Sequence, residues 1–209
     1  MPFGSVLLFF QKDAMTYLHT LETIVTNTIA PAAQATDRDS AFPRAAIQAL
    51  GKAGLLGLVS AKDVGGMGLG LGEAAQVIER ISKACPSTAM VVTMHYCGTT
   101  VIEKLGNDAT RRDIAAGKHL TTLAWSDTGS RSHFWAPVGS ARMEGCDAIL
   151  DGSQTTVTSA GEADSYVWST KPAATEGAST LWQVDSKLPG LSEPKFFDGM
   201  GLRGNRSSP

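Results

Sequence analysis

The chain has 209 residues, a formal net charge of −2 and 18% charged residues, so no basic excess marks a nucleic-acid surface and no polyanionic partner is implied. A chain of this size buries roughly two thirds to three quarters of its unfolded surface, enough for one or two domains. Cys85, Cys97 and Cys146 are too scattered for a disulfide framework and point to a reducing, cytoplasmic setting, while no apolar run reaches the length of about eighteen residues that a membrane span needs.

The chain opens on an apolar run, Val6 to Phe10, that has no positive charge before it and no small-residue cleavage site. It is therefore not a secretory signal, and residues 1–14 read as an upstream extension ahead of a start at Met15. From Met15 the apolar positions Leu18, Leu21, Val25 and Ile29 recur every three or four residues, the stripe of an amphipathic helix. Asp13 can cap it, and Pro31 should end or kink it near Ala30. Pro43 opens a second, short helix with Ala46, Ile47 and Leu50 on one face, and Gly54 stops it. The segment 54–72 holds seven glycines and reads as a loop.

Helical spacing returns with Leu71, Ala74, Ile78 and Ile81, opposite Glu73, Gln76, Arg80 and Lys83. Pro86 begins a helix that is apolar almost all round, with Met90, Met94, Cys97, Val101 and Leu105 as its stripe. Such a helix is expected in the middle of a bundle. Gly106 ends it, Asn107 or Asp108 caps one more short helix, and Gly117 closes that one.

Beyond Lys118 the period shortens to strands. They fall at Thr121 to Trp125, Val138 to Met143, Ala148 to Leu150, Thr155 to Thr158, Tyr166 to Ser169, Leu181 to Val184 and Lys195 to Phe197, separated by turn clusters. The expected class is α+β: an N-terminal all-α helical bundle domain over 15–119, then an antiparallel β-barrel or sandwich domain over 120–209 that is expected to be incomplete.

Few stretches carry chemistry. Gly70-Leu71-Gly72-Glu73-Ala74-Ala75 matches a relaxed dinucleotide pattern but lacks the strand that must feed it, so it reads as a structural loop. His95 and Cys97 make one pair, short of the ligand set of a zinc site, and His95 reads as a satisfied core histidine. No serine elbow occurs. What remains is Leu123 to His133, LAWSDTGSRSH, where a strand breaks into hydroxyls, a glycine and an arginine. Ser126 and Ser132 offer donors there and Gly129 permits close backbone approach, a grouping suited to a flat heteroaromatic cofactor or a phosphate.

Five blocks in register then resemble one family: AFPRAAIQALGKAGLLGL, VGGMGLGLGEAAQVIERISK, LAWSDTGSRSH, LDGSQTTVTSAGEADSYV and GLRGNRSSP, spanning almost all of residues 40 to 209. The family is the acyl-CoA dehydrogenase flavoproteins. The resemblance implies a helical domain, a middle β domain and a further C-terminal helical domain. FAD would lie between the last two, usually in a homo-oligomer, with an acyl-CoA substrate and an electron-transfer acceptor. It places Ser126 at the flavin ring beside the backbone of Leu123 to Trp125, Thr158 near flavin N5, Thr156 where many members stack a tryptophan, and Ser132 toward the CoA portion.

Departures from the pattern are Ser126-Asp127-Thr128 for Thr-Glu-Pro and Arg131-Ser132-His133 for Gly-Ser-Asp. These leave a flavin monooxygenase of the same superfamily, or a noncatalytic partner-binding subunit, as alternatives. The family's catalytic glutamate is expected beyond Pro209, so no residue here is assigned as the base.

Overall fold

The computed structural model describes residues 17–131, 133–173, 176–192 and 195–209. The extension expected at 1–14, the Asp13 cap, the Met15 start and Ser132 lie outside the described residues.

A long helix, α1, runs over 17–38, and Pro31 does not end it. The turn Val25–Ile29 just before the proline is a π-helix, and the α-helix resumes as Ala30–Arg38. Proline lacks the N–H that would bond four residues back and its ring crowds that carbonyl. A widened turn is one way a helix absorbs such a misfit.

α2, Arg44–Lys52, buries Ala46, Ile47, Leu50 and Gly51, and Gly54 follows in the left-handed region at φ 74°. α3, Leu71–Ala84, buries Ala74, Val77 and Ile81, whereas Leu71 is exposed. Its first turn shows why the glycine pattern is structural. The Glu73 carboxylate accepts from the Gly70 N–H at 2.9 Å, so the helix start already carries its own anion. The last helices are α4, Pro86–Leu105, and α5, Asp108–Ala115. The Asn107 side chain caps α5 by accepting from Thr110 N–H at 2.9 Å.

The most buried face of α4 is not the expected stripe. Val91, Val92, His95, Tyr96, Thr99 and Ile102 are buried, while Met90, Met94 and Val101 are half-buried, Cys97 is exposed and Leu105 is 69% exposed. A helix apolar all round carries no periodic signal to choose its inner face. Specific fits choose instead. Tyr96 donates its hydroxyl to Leu55 O at 2.6 Å, and a β-carbon on Gly98 would come within 2.9 Å of Thr121 Cγ2, so that face lies directly on the loop and the first strand.

Five strands follow: β1 Thr121–Ala124, β2 Ser140–Glu144, β3 Asp147–Asp151, β4 Ser165–Thr170 and β5 Thr180–Asp185. They form a three-stranded sheet, order β1-β4-β5, and a separate antiparallel ribbon, β2-β3. The helical-then-sheet order is as expected, but among the described residues no barrel closes. β1 and β4 pair in parallel, Thr121 against Ser165 through Ala124 against Trp168, because the ribbon lies between them in sequence and returns the chain in the same direction. Alternating side chains reveal a half-buried strand and say nothing of its direction.

The stretches 155–158 and 195–197 are not strands. Val157 instead makes an isolated bridge to Ser208, and Phe197 N–H donates to Ser207 O at 3.0 Å. The C-terminal segment is thus stitched to 157–160 and also onto the helices. Arg203 donates to Asp37 O at 2.9 Å, and a β-carbon on Gly204 would sit 2.3 Å from Thr36 Cγ2.

Candidate functional site at the end of the first strand

β1 is positioned by a buried histidine. Thr121 N–H donates to His95 Nδ1 at 3.2 Å, which leaves Nε2 to carry the proton and donate to Leu56 O at 3.1 Å. His95 is fully buried, and burial pushes its pKa down to about 4, so it is neutral and welds helix, loop and strand together. Below it, His119 Nε2 lies 2.7 Å from Ser165 Oγ, whose hydroxyl donates to Thr121 Oγ1 at 3.1 Å. Burial also lowers the His119 pKa.

At its far end β1 runs into the candidate site. Asp127 forms an isolated antiparallel bridge with Gln154. Thr155 donates both its N–H, at 2.6 Å, and its hydroxyl, at 2.8 Å, to Ser126 O, and Thr128 N–H donates to Ser153 O at 2.7 Å. Extending that register by two residues sets Trp125 opposite Thr156. Two segments some thirty residues apart, both singled out in the sequence, therefore meet at one edge.

Each expected site residue except Ser132, which lies outside the described residues, has a definite place. Leu123 and Trp125 are half-buried and pack with Val101, Ile102, Ile114 and Val167. Ser126 is half-buried and Thr156 exposed, and neither hydroxyl has a partner among the described residues. Thr158 is buried, with its hydroxyl 3.5 Å from Ser207 Oγ. The Trp125 indole N–H is buried and has no acceptor among the described residues. Unsatisfied neutral donors grouped in this way fit the edge of a heteroaromatic ring that gains electron density.

One residue was missed as a builder of the site. Asp127, almost wholly buried, accepts from Val138 N–H at 2.6 Å, from Gly139 N–H at 3.0 Å and from the Gln154 amide. It ties down both ends of the loop that carries His133 to Trp135. A lone aspartate in a turn reads as an ordinary Asx residue, and the partners that make it an anchor lie 11, 12 and 27 residues on.

The other well-buried carboxylates are also committed. Glu103 pairs with Arg111 at 3.0 Å, and Glu162 pairs with Arg44 and, at 3.7 Å, with Arg206. Among the described residues no group of three or more His, Cys, Asp or Glu is placed to hold a metal ion.

The cavity beside this edge, lined by Gly152, Gln154, Val157, Trp168 and Leu191 among others, has a volume of about 160 Å³. That is below the roughly 300–1,000 Å³ of enclosed small-molecule sites. The arrangement is an open wall, built of a helical layer on a small mixed sheet with polar atoms gathered at one sheet end.

Comparison with known proteins gives this wall its family. Residues 12–117, just over half of the chain, match the model for "Acyl-CoA dehydrogenase, N-terminal domain". The chain belongs to the acyl-CoA dehydrogenase family. It is 28% identical over 200 residues to the human mitochondrial short-chain specific acyl-CoA dehydrogenase, covering 91% of this chain and 48% of the relative.

The butyryl-CoA dehydrogenase of Megasphaera elsdenii superposes with a TM-score of 0.81 at 17% identity, over 94% of this chain and 56% of that one. A nitrososynthase from Micromonospora carbonacea var. africana superposes at 0.78 with 22% identity, over 93% and 51%. At such identities these two show the fold alone. The chain spans about half the length of the curated relatives it matches. Among the described residues no helix is long and apolar enough to cross a membrane.

Proposed function

We propose that the chain supplies the flavin-edge wall of an acyl-CoA dehydrogenase acting on the α,β carbon–carbon bond of an acyl thioester. The observation that carries this reading is the Asp127–Gln154 register, which brings Ser126 and Thr156 to one edge with free hydroxyls. FAD, when bound, would accept the hydride that leaves the β carbon. The residues of this chain shape the surroundings of its ring. Ser126 and Thr156 would offer neutral hydroxyl donors to the ring edge, and Asp127 holds the loop of His133 to Trp135 in place. Fixed donors of this kind stabilise developing negative charge without reorganising.

None of Asp127, Glu103 and Glu162 is assigned as the base. Asp127 is spent on amides and Glu103 and Glu162 on arginines, so the proton at the α carbon is left to a group outside these residues. The isolated chain is accordingly half of a site and inactive, with FAD held weakly. A cytoplasmic homo-oligomer that passes electrons to a separate acceptor completes the proposal, and the three cysteines, all free thiols, are consistent with that compartment.

The test is a titration of the isolated chain with FAD, followed by flavin fluorescence and by bleaching on addition of butyryl-CoA. Expected are weak quenching, further weakened by Ser126→Val, and no bleaching. Tight co-purifying flavin that butyryl-CoA bleaches would overturn the half-site, and quenching indifferent to Ser126→Val and Thr156→Val would overturn the assigned edge.

A further inference from the structure

Val157 and Ser208 exchange both backbone hydrogen bonds, at 2.8 and 3.1 Å, in their isolated antiparallel bridge. In an antiparallel pair the next two residues face each other without such bonds and with their side chains closest. That register sets Thr158 against Ser207, and their hydroxyl oxygens lie 3.5 Å apart.

Both chains turn away directly after this rung. Ser159 and Arg206, the residues next to the pair, lie in the left-handed region at φ 60° and 53°, and Leu202 does so at 56°. Residues with a β-carbon pay for that conformation, so it persists only where surrounding bonds enforce it, and it gathers at binding sites. The enforcing bonds are present. Ser159 N–H donates to Asn205 O at 2.9 Å and Ala160 N–H to Arg206 O at 3.0 Å. Ser207 N–H donates to Asn205 Oδ1 at 3.0 Å, and Ser207 O accepts from Phe197 N–H at 3.0 Å.

The same segment is anchored on the helical layer. Gly204 N–H donates to Ser87 Oγ at 3.3 Å and Arg203 to Asp37 O at 2.9 Å. Ser207 is thus held at both its N–H and its C=O. The Thr158 side chain, by contrast, is buried with Ser207 Oγ as the partner of its hydroxyl among the described residues. Their separation exceeds the usual distance of about 2.8 Å between hydroxyls, as is common in a site before a ligand closes on it.

We propose that Ser207 is a positioning residue of the flavin-edge wall. Its hydroxyl donates to Thr158 Oγ1, which fixes the Thr158 rotamer and leaves the Thr158 proton free as a third donor beside those of Ser126 and Thr156. This rests on the flavin-edge reading above. Ser207 acts through Thr158 and itself touches no cofactor.

The experiment uses the chain labelled at its threonine methyl groups. Three-bond couplings to the Thr158 methyl carbon report its rotamer without ligand, and FAD titration followed by flavin fluorescence reports binding. The variants are Ser207→Ala, Ser207→Thr, Thr158→Val, Ser126→Val and the double variant Ser207→Ala with Thr158→Val. Unmoved methyl signals of Thr121 and Thr122, both fully buried, show that each variant is folded.

Expected is one Thr158 rotamer in the parent chain, averaging in Ser207→Ala, and restoration in Ser207→Thr. Ser207→Ala should raise the FAD half-saturation about threefold, as loss of one modest hydrogen bond provides, and should add nothing to Thr158→Val. A single Thr158 rotamer that persists in Ser207→Ala overturns the positioning role. So does an effect of Ser207→Ala on FAD that is the same with and without the Thr158 hydroxyl. Indifference of FAD to Thr158→Val together with a response to Ser126→Val overturns the proposal while the edge at Ser126 stands. Indifference to both, or no response to FAD at all, overturns the proposal and the flavin-edge reading together.

Discussion

The helical half and the sheet half are held together by different means. In the helical half one continuous core joins Tyr17, Leu21, Leu50, Leu55, Val77, Ile81 and Val92, and it extends to Leu120 at the threshold of the sheet. Among the described residues the sheet half has smaller buried groups, such as Ala124, Val157, Ala160, Ala163 and Tyr166. Its order comes from polar anchors, and of the five non-glycine residues with positive φ among the described residues four lie there: Arg131, Ser159, Leu202 and Arg206. A site needs polar atoms that point outward and backbone in unusual conformations, and an oily core supplies neither. The helical half is therefore a platform and the sheet half is where binding is built.

That contrast can be broken, and the largest blow should fall on the platform. Leu50→Ala, at a position without solvent contact, should cost about 2–5 kcal/mol in urea unfolding, because the cavity cannot collapse. Acid comes next, at the seam between the halves. His95 has its folded pKa lowered from 6.5 to about 4, so the unfolded chain takes up its proton first. Its contribution is complete above pH 6.5 and falls away as pH drops toward 4, by about 3 kcal/mol in all. His95→Gln should flatten that part of the stability–pH curve.

Asp127→Ala leaves two backbone N–H groups without their acceptor. It should cost about 1–3 kcal/mol, with a change in tryptophan emission as the stacked pair of Trp125 and Phe134 loosens and little change in helix content by circular dichroism. The smallest pair of changes sharpens the view of α4. Ile102→Val on its buried face should cost about 0.5–1.5 kcal/mol, whereas Cys97→Ser on its open face should fall within about 0.5 kcal/mol of no effect.

Local patterns predicted the platform well where the residues differ from face to face. α2 buries the very residues its spacing predicts, and Asn107 starts its helix and Gly54 stops its own as their chemistry implies. The pattern failed where it was uniform. On α4 the expected stripe is not the most buried face: Cys97 and Leu105 are exposed and Met90, Met94 and Val101 only half-buried, since a helix apolar all round is oriented by what it must touch. It failed again at Pro31, where a π turn in the preceding residues absorbs the misfit.

In the sheet half, strand positions were legible but pairing was not. Stretches 155–158 and 195–197 look like strands and instead make isolated contacts with the C-terminal segment. The site residues Ser126 and Thr156 could be singled out on residue type and resemblance, yet nothing local says that they share an edge. Asp127 was invisible as an anchor for the same reason, since its partners lie 11, 12 and 27 residues on.

Residue order alone set which segments are helical, where the helices give way to strands, and which polar stretch stands at that junction, because periodicity and capping act within a few residues. Folding in three dimensions chose the inner face of α4, the parallel pairing of β1 with β4, the neutral state of His95 and the meeting of Ser126 with Thr155. Each of those depends on contacts between residues far apart in the chain, whose energies no local pattern records.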